Sequence, residues 1–251
     1  MKKWILTAAL ASLTLFAKAQ DNMNSKNGTP ILPEAGNWSI AFDASPWLHY
    51  AGNLLSSAGT NNANAAYLVP NTLVGKYMID GSTAYRGMLR IGYNMHSQDS
   101  LVPNGSGGTY TNTYKNSSMN ITLGAGKQWY RGKGRLKGYY GGMAMLTFGS
   151  PNSNTVTYGA PTSAMPRVTE MSAGSTFGIG VRGFVGAEYF FAPKMSIGAE
   201  YGWGIMYNMQ GQGKMTTEST AGTTTTNTGG NSSFNIDVDN FQGAIMLSLY
   251  F

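Results

Sequence analysis

Polar and apolar side chains alternate with a period of two residues along most of the chain. In the segment that begins at Trp38, for example, Ile40 and Phe42 alternate with Ser39 and Ala41. Strict alternation is typical of β-strands whose two faces meet different surroundings. Beyond residue 20 there is no sustained spacing of three and four residues that would predict amphipathic helices. We predict eight strands, over residues 38–43, 73–80, 85–96, 119–129, 136–148, 177–189, 196–205 and 241–251.

The connections between these strands alternate between short and long. The short ones are residues 81–82, 131–135 and 192–194, and the long ones are about residues 51–71, 97–116, 149–174 and 208–233. Short turns at one end and long loops at the other are typical of up-and-down barrels. The pattern therefore predicts an all-β protein, an eight-stranded antiparallel up-and-down β-barrel with three short turns and four long polar loops.

One strand face is rich in aliphatic and aromatic residues, whereas the other carries most of the strand charges. A charge on the lipid face of a membrane barrel costs roughly 2–4 kcal/mol for Arg or Lys at the midplane. We therefore assign the apolar face to lipid and predict a transmembrane barrel with a narrow polar lumen. Four basic and four acidic residues are the candidates for a balanced ion-pair network in that lumen: Asp43, Lys76, Asp80, Arg86, Arg90, Arg182, Glu188 and Glu200.

Aromatic residues cluster near the predicted strand ends, on the face assigned to lipid. Amphipathic rings prefer the headgroup level of a bilayer. The candidates for such a girdle are Trp38, Tyr85, Trp129, Tyr189 and Tyr207. One cation, Lys127, falls on the same face beside Trp129, and its long stem could bring the charge to the interface.

The first nineteen residues have the pattern of a secretory signal peptide. Two lysines precede an apolar stretch, and Ala17-Lys18-Ala19 forms an Ala-x-Ala cleavage site. We predict a signal peptide over residues 1–19, an N-terminal periplasmic segment over 20–36 and an outer-membrane barrel over 37–251. Removing the first nineteen residues takes away three lysines and lowers the formal charge from +6 to +3. The basic balance therefore gives little support to nucleic acid as a partner, and we predict none.

The residue composition limits which metal, disulfide and cofactor sites the chain can form. The absence of Cys excludes disulfides and thiolate metal sites, and the two histidines, His49 and His96, are far apart in the sequence. We predict no metal and no cofactor. Gly178-Ile-Gly180-Val-Arg-Gly183 matches the GxGxxG string of dinucleotide-binding folds, but it lies inside an alternating strand with no helix after it. Strand glycines that make room for inward side chains explain it better.

The last predicted strand ends on an aromatic residue and resembles the C-terminal assembly signal of Gram-negative outer-membrane barrels. Its one face carries Phe241, Gly243, Ile245, Leu247, Leu249 and Phe251. The segment 186–201, with a Pro-containing turn between two strands, resembles that of small OmpA- and OmpX-type barrels, and the cleavage region resembles exports of the Bacteroidetes. The resemblance implies an outer-membrane location, surrounding lipid and lipopolysaccharide, and folding by the barrel-assembly machinery.

The long loops are rich in Asn, Thr, Ser and Gly, which is typical of flexible polar segments. We predict a non-enzymatic outer-membrane protein whose loops serve envelope integrity, surface interaction or adhesion with a surface ligand or membrane protein. Three alternatives stay open. They are a small or gated pore, a lipid A-modifying enzyme with His96 near Ser97, Asp99 and Ser100 at the rim, and an accessory subunit of a larger outer-membrane assembly.

Overall fold

The computed structural model describes residues 24, 25, 27–43, 72–236 and 244–251, and of Asp43 and Ala244 it describes only the backbone. The described residues form antiparallel β-strands and no helix. The strands are β1 (Trp38–Asp43), β2 (Thr72–Asp80), β3 (Thr83–Pro103), β4 (Thr109–Arg131), β5 (Leu136–Gly149), β6 (Ser153–Thr157), β7 (Arg167–Ser172), β8 (Thr176–Ala192), β9 (Met195–Gln210), β10 (Gly213–Ser219), β11 (Gly222–Thr228), β12 (Asn231–Ile236) and β13 (Ala244–Tyr250).

Eight of these strands form a ring in the order β1-β2-β3-β4-β5-β8-β9-β13, and β13 pairs with β1 to close it. Every pairing in the ring is antiparallel. The closing ladder pairs Ser39 with Tyr250 and Ala41 with Ser248. The ring contains the eight strands that the alternation predicts, which confirms the all-β antiparallel prediction. Residues 241–243 of the eighth predicted strand lie outside the described residues.

Alternation along each strand separates an inner from an outer surface. On β1, Ser39 and Ala41 are buried, whereas 63% of Trp38 is exposed. On β8, Glu188 is buried while Val181 and Val185 are each 55% exposed. Successive side chains of a strand point to opposite faces, so the large aliphatic and aromatic residues cover the outside of the ring. Within the ring, most charges on the strands point into the interior, as the sequence pattern predicts.

Three of the long segments predicted as flexible loops contain β-strands. Strands β3 and β4 continue well past the ring as a hairpin, closed by the turn over residues 104–108. Strands β6, β7, β10 and β11 then extend the sheet from β4, while β12 pairs with the end of β9. We call the sheet formed by residues 94–117 with β6, β7, β10 and β11 the extension. The extension contains many threonines, which are β-branched and favour the strand conformation. The prediction of flexible loops rested on the overall Asn, Thr, Ser and Gly content and did not take this preference into account.

Residues 27–36 lie across the short-turn end of the ring. The Ile31 side chain is only 1% exposed and packs in the cluster that contains Met78, Phe190 and Tyr250. Its carbonyl accepts a hydrogen bond from the backbone N–H of Lys194 at 3.3 Å, and Gly36 donates its own to the Met78 carbonyl at 2.8 Å. This segment, predicted as periplasmic, therefore covers that end of the ring.

Candidate functional site: charged cross-braces inside the ring

A buried ion pair joins Lys76 on β2 to Glu188 on β8. The Lys76 Nζ lies 2.9 Å from Glu188 Oε2, and each side chain is 2% exposed. The same carboxylate accepts hydrogen bonds from Tyr130 at 2.9 Å, from Tyr250 at 2.8 Å and from Ser196. Each carboxylate oxygen therefore has two donors, which compensates for the loss of water around a buried charge.

A second buried ion pair joins β3 to β9. Arg86 on β3 donates two hydrogen bonds to the carboxylate of Glu200 on β9, at 2.5 and 3.0 Å. Arg182 and Tyr139 also donate to this carboxylate, at 2.8 and 3.1 Å, and the Gln128 carbonyl accepts from Arg86 at 3.1 Å. Two-point pairing of a guanidinium with a carboxylate fixes the orientation of both groups.

These contacts bridge opposite walls of the ring. In the ring order, β2 and β8 are four strands apart, and so are β3 and β9. The hydroxyl contact between Tyr130 on β4 and Tyr250 on β13, 3.1 Å long, also joins strands four apart. We call these three contacts the cross-braces. Because an eight-stranded ring is about as wide as its inward side chains, the cross-braces fill its interior at this level.

Small residues opposite large ones make room for the cross-braces. A Cβ on Gly186 would lie 2.5 Å from both the Ala199 carbonyl oxygen and the Tyr139 ring, and one on Gly141 would lie 2.4 Å from the Phe184 ring. The GxGxxG string lies within β8, with no helix after it among the described residues. Its inward Gly178 and Gly180 are buried, in keeping with the packing explanation.

The eight charges predicted to line the interior are only partly brought together. Lys76, Arg86, Arg182, Glu188 and Glu200 form the network, so the network holds three cations and two anions rather than a balanced set. The prediction was wrong for Asp80. It lies at the β2–β3 turn, where its carboxylate accepts hydrogen bonds from the Ser82 hydroxyl and backbone N–H, both at 2.7 Å, which lower its pKa.

Arg90 is inward but only half buried, and it lies two positions beyond Met88 towards the extension. The side chain of Asp43 lies outside the described residues. Alternation predicts the face of a residue but not its height along the ring axis, and that height decides which charges meet. Sequence reasoning also missed Tyr130, Tyr139 and Tyr250 as partners because aromatic residues were counted with the apolar face. For Tyr130 and Tyr250, the available signal was their spacing of two residues from polar residues on the same strand, Gln128 and Ser248.

The predicted girdle residues all lie on the outside of the ring. Trp38 and Tyr85 are 63% and 58% exposed, and Tyr207 is also exposed, whereas Trp129 and Tyr189 are partly covered. Near the short-turn end, Trp38 stacks at a tilt on Tyr77, with ring centroids 4.8 Å apart. Of the predicted assembly-signal residues, Ile245, Leu247, Leu249 and Phe251 alternate with the buried Met246, Ser248 and Tyr250, while Phe241 and Gly243 lie outside the described residues.

His96, the residue of the rim-enzyme alternative, is exposed on β3. Asp99 accepts a hydrogen bond from Thr113 at 2.7 Å, and no described residue hydrogen-bonds the His96 imidazole. Ser97 and Asp99 lie on the opposite strand face from His96, whereas Ser100 shares its face. His49 lies outside the described residues. Within the described part of the chain, no group of three or more His, Cys, Asp or Glu side chains could hold a metal ion.

The fold and interior define an all-β protein with an eight-stranded antiparallel ring, an apolar outer surface and buried charged cross-braces. No helix in the described ranges is long and apolar enough to cross a bilayer. No protein-family model matches the chain, and no curated protein matches it.

Proposed function

We propose that this chain is a closed outer-membrane β-barrel of a Gram-negative cell, exported through a cleaved signal peptide, that holds its extension at the cell surface for interaction. The observation that carries the proposal is the reversed distribution of residues: most charges of the ring strands lie inside the ring, and its outside is covered by exposed aliphatic and aromatic side chains. A water-soluble ring would have the opposite arrangement.

The outer surface has the composition that lipid requires. Along β8, the outward positions from Phe177 to Phe191 carry no charged or amide side chain, and the same holds on β9 from Ile197 to Met209. Each stretch exceeds the roughly 9–11 residues with which a tilted strand crosses a bilayer. A closed ring also leaves no unpaired strand edge in hydrocarbon, where each unsatisfied backbone group is costly. These features support a membrane-spanning barrel.

The interior favours an anchor over a pore. The cross-braces join three pairs of opposite strands, and Ile31 covers the short-turn end of the ring. An ion passing through would have to displace paired side chains that are about 2% exposed. We therefore propose that the barrel does not conduct, and that its task lies in the extension rather than in transport.

The extension offers an edge at which another strand can pair. Strand β11 is the last strand of the sheet path, and no other described strand pairs with its outer edge. Edge strands are usually protected by charges, Pro or bulges, but β11 (Gly222–Thr228) has no charge and no Pro, and its register with β10 is regular. Its threonines can pair with threonines, and an uncharged strand can lie opposite itself without repulsion. We propose that a second copy of the chain adds its β11 here.

Two measurements test the barrel itself. Fractionation of cells should place the protein in the outer membrane, and folded protein should migrate differently from boiled protein on a gel. Release from the periplasm without detergent would overturn the membrane assignment.

A third measurement tests whether the barrel is closed. In planar bilayers the folded protein should show no stable open conductance. A stable conductance whose ion selectivity changes in Glu200→Gln would overturn the closed barrel in favour of a pore.

A further inference from the structure

The outside of the ring carries very few charges, and they lie together. Lys127 and Arg131 project outward from β4, because Gln128 and Tyr130 between them are buried inside. Among the described ring strands between the short turns and the extension, no other outward position carries a charge. Both cations lie near the β4–β5 turn, at the end of the ring that the proposed function places in the periplasmic leaflet.

Aromatic rings hold both cations against the wall. The Lys127 Nζ lies 5.7 Å from the centre of the Trp129 ring. Arg131 lies over Tyr140, with its guanidinium carbon 5.8 Å from the ring centre, and its Nη2 donates to the Tyr140 hydroxyl at 3.2 Å. Trp129 and Tyr140 stack with their centroids 5.6 Å apart. We call Lys127, Trp129, Arg131 and Tyr140 the cation–aromatic cluster. Aromatic rings near the end of a membrane barrel lie at the depth of the lipid headgroups, and basic side chains beside them can bind anionic headgroups.

An apolar depression of about 580 Å³ adjoins the cluster on the outer wall of β4, β5, β8 and β9. Its outward lining includes Ala125, Gly142, Ala144, Val181, Gly183 and Trp203. Gly142 is the direct ladder partner of Lys127, so the depression begins beside the cation. The small residues Ala125, Gly142, Ala144 and Gly183 form the floor of the depression. The larger side chains of Trp203 and Val181 form its sides.

We propose that the cation–aromatic cluster and this depression together bind one anionic glycerophospholipid, with its phosphate at Lys127 and Arg131 and an acyl chain in the depression. The argument for this occupant is complementarity: the depression is apolar, and the only outward cations of the described ring wall stand at one end of it, without an outward anion. Free phosphate would satisfy only the cluster, and an uncharged lipid only the depression. This inference rests on the proposed membrane location.

The test uses folded full-length protein in a non-ionic detergent and native mass spectrometry with added phosphatidylglycerol or phosphatidylcholine of identical acyl chains. We expect retention of one phosphatidylglycerol, with weaker retention of phosphatidylcholine. Each of Lys127→Gln and Arg131→Gln should weaken phosphatidylglycerol binding about fivefold, since a basic residue near an anionic headgroup contributes about that factor, and should weaken binding of the zwitterionic phosphatidylcholine less. Lys214→Gln, an equal loss of charge in the extension, should change neither.

A second pair of variants tests the depression. A Cβ on Gly183 would meet nothing closer than 4.0 Å, so Gly183→Leu should fill the depression without disturbing the ring and reduce retention of both lipids. Gly75→Leu, at an outward position of β2 with similar space around it, is the matched control. Competition by inorganic phosphate alone, or retention that neither the charge nor the Leu variants alter, would overturn the inference. A chain that fractionates with the outer membrane but retains no phosphatidylglycerol refutes this inference and leaves the proposed function standing.

Discussion

The Nζ of Lys76 lies 2.9 Å from the Oε2 of Glu188, on strands that face each other across the ring. The two residues are 112 positions apart in the sequence, so their contact forms only when the whole ring has closed. An ion pair of this kind contributes less to gross stability than to the choice of one register, because a ring closed in another register would leave both charges buried and unpaired.

Replacing Glu188 tests that dependence. Glu188→Gln leaves the Lys76 ammonium buried without its counter-charge, and removal of one partner of a buried pair costs about 3–5 kcal/mol. We expect the midpoint of urea unfolding in detergent micelles to fall accordingly. Glu218→Gln is the matched control, since Glu218 pairs with Arg167 in the extension where both side chains are partly exposed. That pair should contribute about 1 kcal/mol or less. If the two variants lose the same free energy of unfolding, burial does not make the Lys76–Glu188 pair more important for stability than the partly exposed pair.

The packing of glycine against the cross-braces gives a second prediction. In Gly186→Ala the new Cβ would lie 2.5 Å from the Ala199 carbonyl oxygen, a backbone atom that cannot move aside easily. We expect a loss of about 1–3 kcal/mol, the usual cost of overpacking a filled interior. Gly183→Ala, on the same strand but facing outward, has 4.0 Å of space and should leave unfolding unchanged. If both variants unfold at the urea concentration of the unaltered chain, the interior is looser than these contacts imply.

Much of the ring could be predicted from the sequence because polar and apolar residues alternate along its strands. This alternation arises because the two faces of each strand have different surroundings, the ring interior and the outer surface. The extension could not. Thr-rich segments such as residues 222–228 carry no alternation, since both of their faces meet water, and only pairing with β10 gives them strand structure. The charges of the cross-braces were predicted as an ion-pair network, but the sequence did not indicate which of them pair, and the contact between Tyr130 and Tyr250 was not predicted. Their partners follow from ring order and strand stagger, which alternation does not contain.

The N-terminal segment gives a third prediction. Ile31 is 1% exposed between Met78 and Phe190, so Ile31→Ala should destabilise the folded protein by about 2–5 kcal/mol, the range for truncating a buried aliphatic side chain. We also expect faster proteolysis of residues 27–36 in the folded protein. Ile40→Ala is the control, because Ile40 is 52% exposed on the outer wall of β1. A segment cleaved equally fast in the unaltered chain and in Ile31→Ala would show that Ile31 does not hold it in place.

Self-pairing of β11 predicts a specific pattern of charge repulsion. Thr225 is the central residue of β11, so in a two-fold antiparallel pairing it lies opposite its own copy. Thr225→Lys and Thr225→Glu should each abolish the dimer in detergent, measured by analytical ultracentrifugation, because like charges directly opposite each other destabilise a sheet. A mixture of the two variants should restore it, since the charges then attract. Thr155→Lys in β6, an inner strand of the extension, should leave the dimer unchanged. If the unaltered protein, each variant and the mixture are all monomeric, a second copy does not pair with the edge of β11.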